Sequence, residues 1–271
     1  MRERTKNFIA TRFPLVRYLV LSILKRIAVD FEMKNPYSRK PFLLNLYSHA
    51  GYWFYGKARE EDTSNSLKKL ITNDDIVIEV GGHIGFLSHL YSELVGAKGA
   101  VHVFEPGRNN LEYTRHNLDS LKNVTLHEEG CSDNVGVVEF YLDALSGQNN
   151  SILNDYEPVE ATARSHYVSA QREKASINVT TLDAFIENLE AQPSHIKIDV
   201  EGAELLVIKG MSKFLGRVPS LMIEVTREEG EVFSIMRNAG YIAYDERLLE
   251  IKGGHIKRGN VFFVLEGACF S

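Results

Sequence analysis

The sequence predicts an α/β fold, a doubly wound and mostly parallel sheet with helices on both faces. Three observations carry this. From residue 75 onward, short apolar runs alternate with helical patterns, the signature of a parallel sheet with covering helices. Residues 76–80, bounded upstream by Asn73-Asp74-Asp75, form an apolar run, broken only by Glu79, that leads into Gly81-Gly82-His83-Ile84-Gly85. Such a run reads as a strand buried on both faces that passes through a glycine turn into a helix. The last two strands, residues 241–244 and 260–265, have no long helix between them, so an antiparallel hairpin is expected at one edge.

The composition fits a soluble globular protein, with 271 residues, 44% apolar and 25% charged. That length holds one large domain, or one domain with an extension. A net charge of −5 gives no case for a nucleic-acid partner. Cys131 and Cys269 are far apart and lack metal-ligand spacing. This argues against a disulfide scaffold or a zinc site and fits a reducing cytoplasm. Residues 1–40 carry a net +7, leaving −12 for the remainder.

Residues 1–62 read as an amino-terminal extension that is helical and then rich in aromatics. A helix placing Leu15, Leu19, Ile23 and Ile27 on one face is expected. The apolar run between Arg17 and Lys25 is too short to span a bilayer. The flanking charges and the lack of a small-residue cleavage site argue against a signal peptide. The helix either packs on the main domain or rests, as a basic amphipathic segment, on an anionic membrane. The second reading would give a cytoplasmic protein a peripheral membrane contact through residues 1–40 and would suit a lipid-linked substrate. Phe31, Tyr37, Phe42, Tyr47, Tyr52, Trp53, Phe54 and Tyr55 predict a packed irregular segment or, as the less common use of such residues, a pocket lining. It leads into a helix at about 64–71.

The main domain spans residues 63–271. After the glycine turn come a helix to about 94, a strand at 100–104, a helix at 109–121 and a strand at 124–127. Residues 137–142 alternate and resemble an antiparallel addition. A polar stretch at about 143–176 is long for a compact domain and is expected to be a lid or binding loop. Strands follow at 177–179, 195–200 and 220–225, with helices at 182–189, 204–215 and 228–239.

Ligands of such sheets bind at the carboxyl ends of the strands, where this chain places Glu79, Glu105, Asp199 and Glu224. A strand–glycine turn–helix unit holds nucleotide-like ligands. There is no Gly-Lys-Ser/Thr, which disfavours a nucleoside-triphosphate loop. An acid before the first glycine would repel a pyrophosphate and suits a cation such as the sulfonium of S-adenosylmethionine. Glu105 is placed to accept hydrogen bonds from ribose hydroxyls, or to cap the helix that follows.

Five stretches occur in order: Ile78-Glu79-Val80-Gly81-Gly82-His83-Ile84-Gly85-Phe86, Val103-Phe104-Glu105-Pro106, Gly130-Cys131-Ser132-Asp133 with Gly136, Thr181-Leu182-Asp183-Ala184-Phe185, and Ile196-Lys197-Ile198-Asp199-Val200-Glu201-Gly202-Ala203-Glu204. Together they resemble the FkbM family of S-adenosylmethionine-dependent methyltransferases over about residues 70–225. The resemblance implies a Rossmann-like, seven-stranded class I methyltransferase sheet with adenosylmethionine as cofactor. It also implies methylation of a hydroxyl on a sugar, polyketide or related metabolite. Glu79, Gly81, Gly82, Gly85 and Phe86 would then form the methionine end of the site. Glu105 with Pro106 would hold the ribose, Cys131 and Ser132 would border the adenine, and Asp199 would lie near the reactive methyl. His83 departs from the Asn usual in the family. Histidine tolerates positive φ, so the turn is expected to survive, with the imidazole either touching ligand or filling the turn.

A sugar hydroxyl needs alignment and proton removal. Asp199 and Glu201 are the first candidates for the base, two apart and on one side if extended, with His83 a third. A metal is not expected. Were magnesium used, Asp199, Glu201 and Glu224 would be its oxygen ligands. Glu204 reads as a helix-start acid, and His195 and His102 as structural. The loop offers Ser146, Gly147, Gln148, Asn149, Asn150 and Ser151 for hydrogen bonds, then Arg164, His166, Tyr167, Arg172 and Lys174. The expected function is an adenosylmethionine-dependent O-methyltransferase acting on a small, glycosylated or lipid-linked metabolite. A nicotinamide oxidoreductase would need a Gly-x-Gly-x-x-Gly turn without the preceding acid. Intact Glu79, Glu105 and Asp199 argue against a non-catalytic binding protein.

Overall fold

A computed structural model describes residues 25–143, 147–154, 173–253 and 259–268. The expected helix face of Leu15, Leu19 and Ile23 lies outside these residues, as do Ser146, Arg164, His166, Tyr167, Arg172 and Cys269. Ile27 is described and is exposed.

The extension is more regular than its aromatic content suggested. Strands β1 (Asp30–Lys34) and β2 (Pro41–Asn45) pair antiparallel as a hairpin. Asn35 closes it, its side chain accepting from the Tyr37 amide at 2.8 Å. A short helix α1 (Ala50–Tyr55), a 3₁₀ turn (Gly56–Glu60) and helix α2 (Glu61–Leu70) follow. Phe42, Leu44 and Tyr52 share a buried cluster with Ile84 and Phe86 from the glycine turn. Helix α2 reaches the far end of the chain. Its Leu67 packs in one cluster with Met222 and Phe262, and Ser66 Oγ donates to the Glu246 carbonyl at 2.7 Å.

The main domain then builds its sheet. β3 (Ile76–Val80), α3 (Ser88–Val95), β4 (Ala100–Phe104), α4 (Arg108–Leu118) and β5 (Val124–His127) come first. β6 (Gly130–Cys131), β7 (Gly136–Leu142) and β8 (Glu173–Thr180) form a separate three-stranded sheet in the order β6-β8-β7. The alternating run at 137–142 is therefore antiparallel, as expected, but to β8. Next come α5 (Leu182–Ile186), β9 (His195–Ile198), α6 (Glu204–Lys209), β10 (Ser220–Val225), α7 (Glu229–Asn238), β11 (Tyr241–Tyr244) and β12 (Gly259–Leu265).

The seven-stranded sheet has the order β11-β12-β10-β9-β3-β4-β5. Strands β10, β9, β3, β4 and β5 are parallel neighbours, and β12 and β11 close one edge antiparallel. The order reverses between β3 and β9, so a crevice opens at their carboxyl ends. Apolar clusters cover both faces.

Candidate active site

The turn after β3 depends on its glycines. Gly81 has φ +84, and a Cβ there would lie 1.8 Å from the Asp199 carbonyl oxygen. The turn thus packs backbone to backbone against the end of β9, whose Asp199 amide donates to the Val80 carbonyl at 3.0 Å. Gly85 also has positive φ, which delays α3 to Ser88, three residues after its expected start. His83 adopts φ +48, so the departure from Asn keeps the left-handed turn. Its amide donates to Glu105 Oε2 at 2.7 Å, and its carbonyl accepts from the Thr114 hydroxyl.

Glu105 ends β4 with both oxygens engaged. Besides the His83 amide, Oε1 accepts from the Gly107 amide at 2.8 Å and from Asn110 Nδ2 at 3.1 Å. Burial raises its pKa to about 7 against these three hydrogen bonds. The described part of the polar loop lies over this acid. Asn110 donates to the Gly147 carbonyl, Asn150 and Asn109 pair through their amides, and Gln148 bonds Tyr52. Ser151 Oγ donates to the Glu201 carbonyl at 2.9 Å.

Glu79 points into the protein. Its Oε2 accepts from Ser88 at 2.5 Å, and Lys197 Nζ stands 3.4 Å from its Oε1. Lys197 also reaches Asp199 Oδ2 at 3.2 Å and donates to the Gly81 carbonyl at 2.7 Å. It is 4% exposed. Burial alone would lower its pKa, but Asp199 and Glu79 outweigh burial and raise it. Burial raises Glu79, with Lys197 opposing. One resident cation therefore ties the glycine turn, β3 and β9 together.

Strand β9 stops at Ile198 instead of running to Val200. Glu201 and Gly202 both take positive φ, so Asp199 and Glu201 are not an extended pair on one side. The turn brings them together by another route. Carboxylate oxygens of Asp199, Glu201 and Glu224 lie within 4.8 Å of one another. Burial works upward on Asp199, but Lys197 and a hydrogen bond from Glu224 hold it below its ordinary range. The Asp199 charge, then burial, pushes Glu224 up to about 10. Of the two, Glu224 is the one pushed toward the protonated form, with Asp199 the acceptor of the hydrogen bond between them. Glu204 starts α6 as expected, with Oε1 accepting from the Gly202 amide at 2.9 Å.

Other sequence candidates sit differently. Phe86 packs edge-on with Tyr37 and Phe42, and Cys131 is buried in the core, with burial raising its thiol pKa. Ser132 is also buried, and its amide donates to Thr180. Gly82 and Pro106 line the two strand-end turns, where the Gly82 amide donates to Phe104. His195 is buried on Ser220, and His102 contacts His127. Sequence reasoning missed Lys197 as a site residue, though a lysine between Ile196 and Ile198 in a buried strand must be paired. It also missed Arg59 and Glu60, and gave Tyr52 only as one of an aromatic group; the extension brings all three to the site. Burial raises Glu60, with Asp199 adding to the shift.

Residues 79–243 match the methyltransferase FkbM domain family. The chain belongs to the FkbM methyltransferase domain family. This FkbM chain is also 28% identical over 169 residues to the hexuronic acid methyltransferase AglP of Haloferax volcanii. The match takes in 61% of this chain and 62% of that protein. Among solved structures, the methyltransferase FkbM of Methylobacillus flagellatus KT is 17% identical, at a TM-score of 0.46, over 92% of this chain and 59% of that one. A precorrin-6y C5,15-methyltransferase of Geobacter metallireducens GS-15 is 13% identical, at a TM-score of 0.44, over 78% and 89%. The matched FkbM region begins at Glu79, so the hairpin, α1 and the 3₁₀ turn lie before it.

Proposed function

We propose that this protein is an S-adenosylmethionine-dependent O-methyltransferase whose acceptor is a hydroxyl of a sugar-containing metabolite. Membership of the FkbM family and likeness to a hexuronic acid methyltransferase support the reading. The observation that carries it is the cluster of Asp199, Glu201 and Glu224, packed against the glycine turn through Asp199 and Gly81.

The residues fit such a cofactor. Glycines at 81, 82 and 85 keep side chains out of the turn, and Glu105 offers carboxylate oxygens at the end of β4. When bound, the cofactor supplies a methyl group on a sulfonium that leaves without further activation. The protein's task is then alignment and proton removal. Asp199 is the proton acceptor in this reading, held in place by Lys197 and by the proton on Glu224. The carboxylates of Glu201 and Asp199 orient the sugar hydroxyls. His83 lines the turn beside them.

Thermal shift with S-adenosylhomocysteine and with NAD tests the cofactor. Stabilisation by the first is expected, and stabilisation by NAD alone would overturn the reading. Asp199→Asn should lower turnover about 100-fold while leaving S-adenosylhomocysteine affinity within a few-fold. Unchanged turnover would remove Asp199 from the chemistry.

A further inference from the structure

We infer that Tyr52 is a positioning residue for His83, so that the extension completes the site that the family region begins. The inference rests on the reading of His83 as a residue of the methyl-transfer site. Tyr52 lies on α1, outside the matched residues 79–243. It is 8% exposed, and its hydroxyl meets His83 Nδ1 at 3.0 Å. The two rings stack at 5.7 Å with 23° between their planes.

The other side of this arrangement is built as closely. The Arg59 guanidinium lies 4.6 Å from the centre of the Tyr52 ring. Gly51 makes room for it, since a Cβ there would sit 2.5 Å from Arg59 Nη1. His49 closes on the His83 ring edge at 5.6 Å, and the Asn45 amide donates to its Nδ1 at 2.9 Å. That bond leaves the His49 proton on Nε2. The same Tyr52 hydroxyl also bonds Gln148 of the polar loop. The charged and titratable groups around the Tyr52–His83 pair are thus His49, Asp199 and Glu105 on the His83 side and Arg59, Glu60 and Lys197 on the Tyr52 side.

The Gln148 bond lowers the Tyr52 pKa, as a donor to the phenol oxygen does; the hydroxyl proton then turns to His83 Nδ1, which favours the Nε2–H tautomer and one ring orientation. His83 already sits in a constrained left-handed turn, with its backbone anchored to Glu105 and Thr114. Tyr52 fixes the remaining freedom, that of the side chain. The ring is enclosed by His83, Arg59, Phe86 and His49, so Tyr52 acts on the imidazole instead of serving as a platform for a sugar.

The test is the histidine ¹⁵N–¹H spectrum of the full chain, with the His83 signals identified by their loss in His83→Asn. The wild type should show one His83 tautomer. Tyr52→Phe keeps the ring and removes the hydroxyl. It should convert His83 to a tautomer mixture, leave S-adenosylhomocysteine affinity within about twofold, and lower turnover about five- to tenfold, the loss of one hydrogen bond. Gln148→Leu, at a loop position, should move the same signals by a smaller amount. His83 signals that stay unmoved in both variants would overturn the inference. Failure of the wild type to bind S-adenosylhomocysteine would instead strike the proposed function, with the His83 spectrum still readable.

Discussion

Lys197→Met probes the centre of the site. The side chain is nearly isosteric along its stem, so the change removes one charge and little volume. It leaves Glu79, at 1% exposure, with the Ser88 hydroxyl as its hydrogen-bond donor. It also removes the 2.7 Å bond to the Gly81 carbonyl. Breaking a buried pair by removing one partner costs about 3–5 kcal/mol, because the other charge stays desolvated. The sign with pH follows from Glu79. Burial already raises its folded pKa, and loss of Lys197 raises it further. An acid with a raised folded pKa stabilises the fold below its unfolded value, about 4.3, and that stability is lost as pH rises through the folded pKa. The deficit of Lys197→Met against wild type should therefore be near 3–5 kcal/mol at pH 8 and smaller at pH 5, read by urea unfolding at both. Adding Glu79→Gln should restore much of the loss at pH 8. A deficit equal at the two pH values, or a double variant no more stable than the single one, would refute the idea that Lys197 holds a buried carboxylate.

Two further outcomes are expected. Gly81→Ala, with φ +84 and a 1.8 Å clash with the Asp199 carbonyl, should lose more than about 4 kcal/mol in urea unfolding. Gly82→Ala, whose Cβ meets the side chain of Val103, should lose less, and equal losses would contradict the turn geometry. Glu105, with its pKa raised to about 7, accepts hydroxyl hydrogen bonds with both oxygens only when ionised. S-adenosylhomocysteine affinity by calorimetry should weaken from pH 8 to pH 6, and Glu105→Gln should weaken binding and flatten that dependence.

The parallel strands were legible because each is a short apolar run between turn residues, and strands 100–104, 124–127 and 220–225 fall where the sequence puts them. The hairpin at Asp30–Asn45 was hidden by aromatics that suit any packed segment, although Phe31 and Met33 alternate inward along β1. The end of β9 was misread by two residues because Val200 continues the apolar pattern, while the backbone breaks at Glu201 and Gly202. The acids at the strand ends were readable from topology alone. Their convergence was not, since it depends on that break. Tyr52 was legible as one of an aromatic group but not as a partner of His83: the two are 31 residues apart, and only docking of α1 on the glycine turn brings them together.

Helix α2 bears on how the molecule is made. Leu67 shares its cluster with Phe262 of β12, Ser66 bonds the Glu246 carbonyl, and the Asn260 amide reaches Thr63 Oγ1. Part of the seat of this helix therefore comes from residues translated 180 to 197 positions after their partners in it. Until β12 has emerged, α2 can pack on Val77 of β3 and Leu90 of α3 but lacks the rest of its seat. The parallel strands can begin to associate earlier, as their segments appear. Closing a loop of this length adds little entropy beyond that of a shorter one, so the delay is one of synthesis order and not of stability. The full seat of α2 is thus among the last parts to form, whereas Tyr52 on α1 has Ile84 and Phe86 of the glycine turn to pack on as soon as they appear.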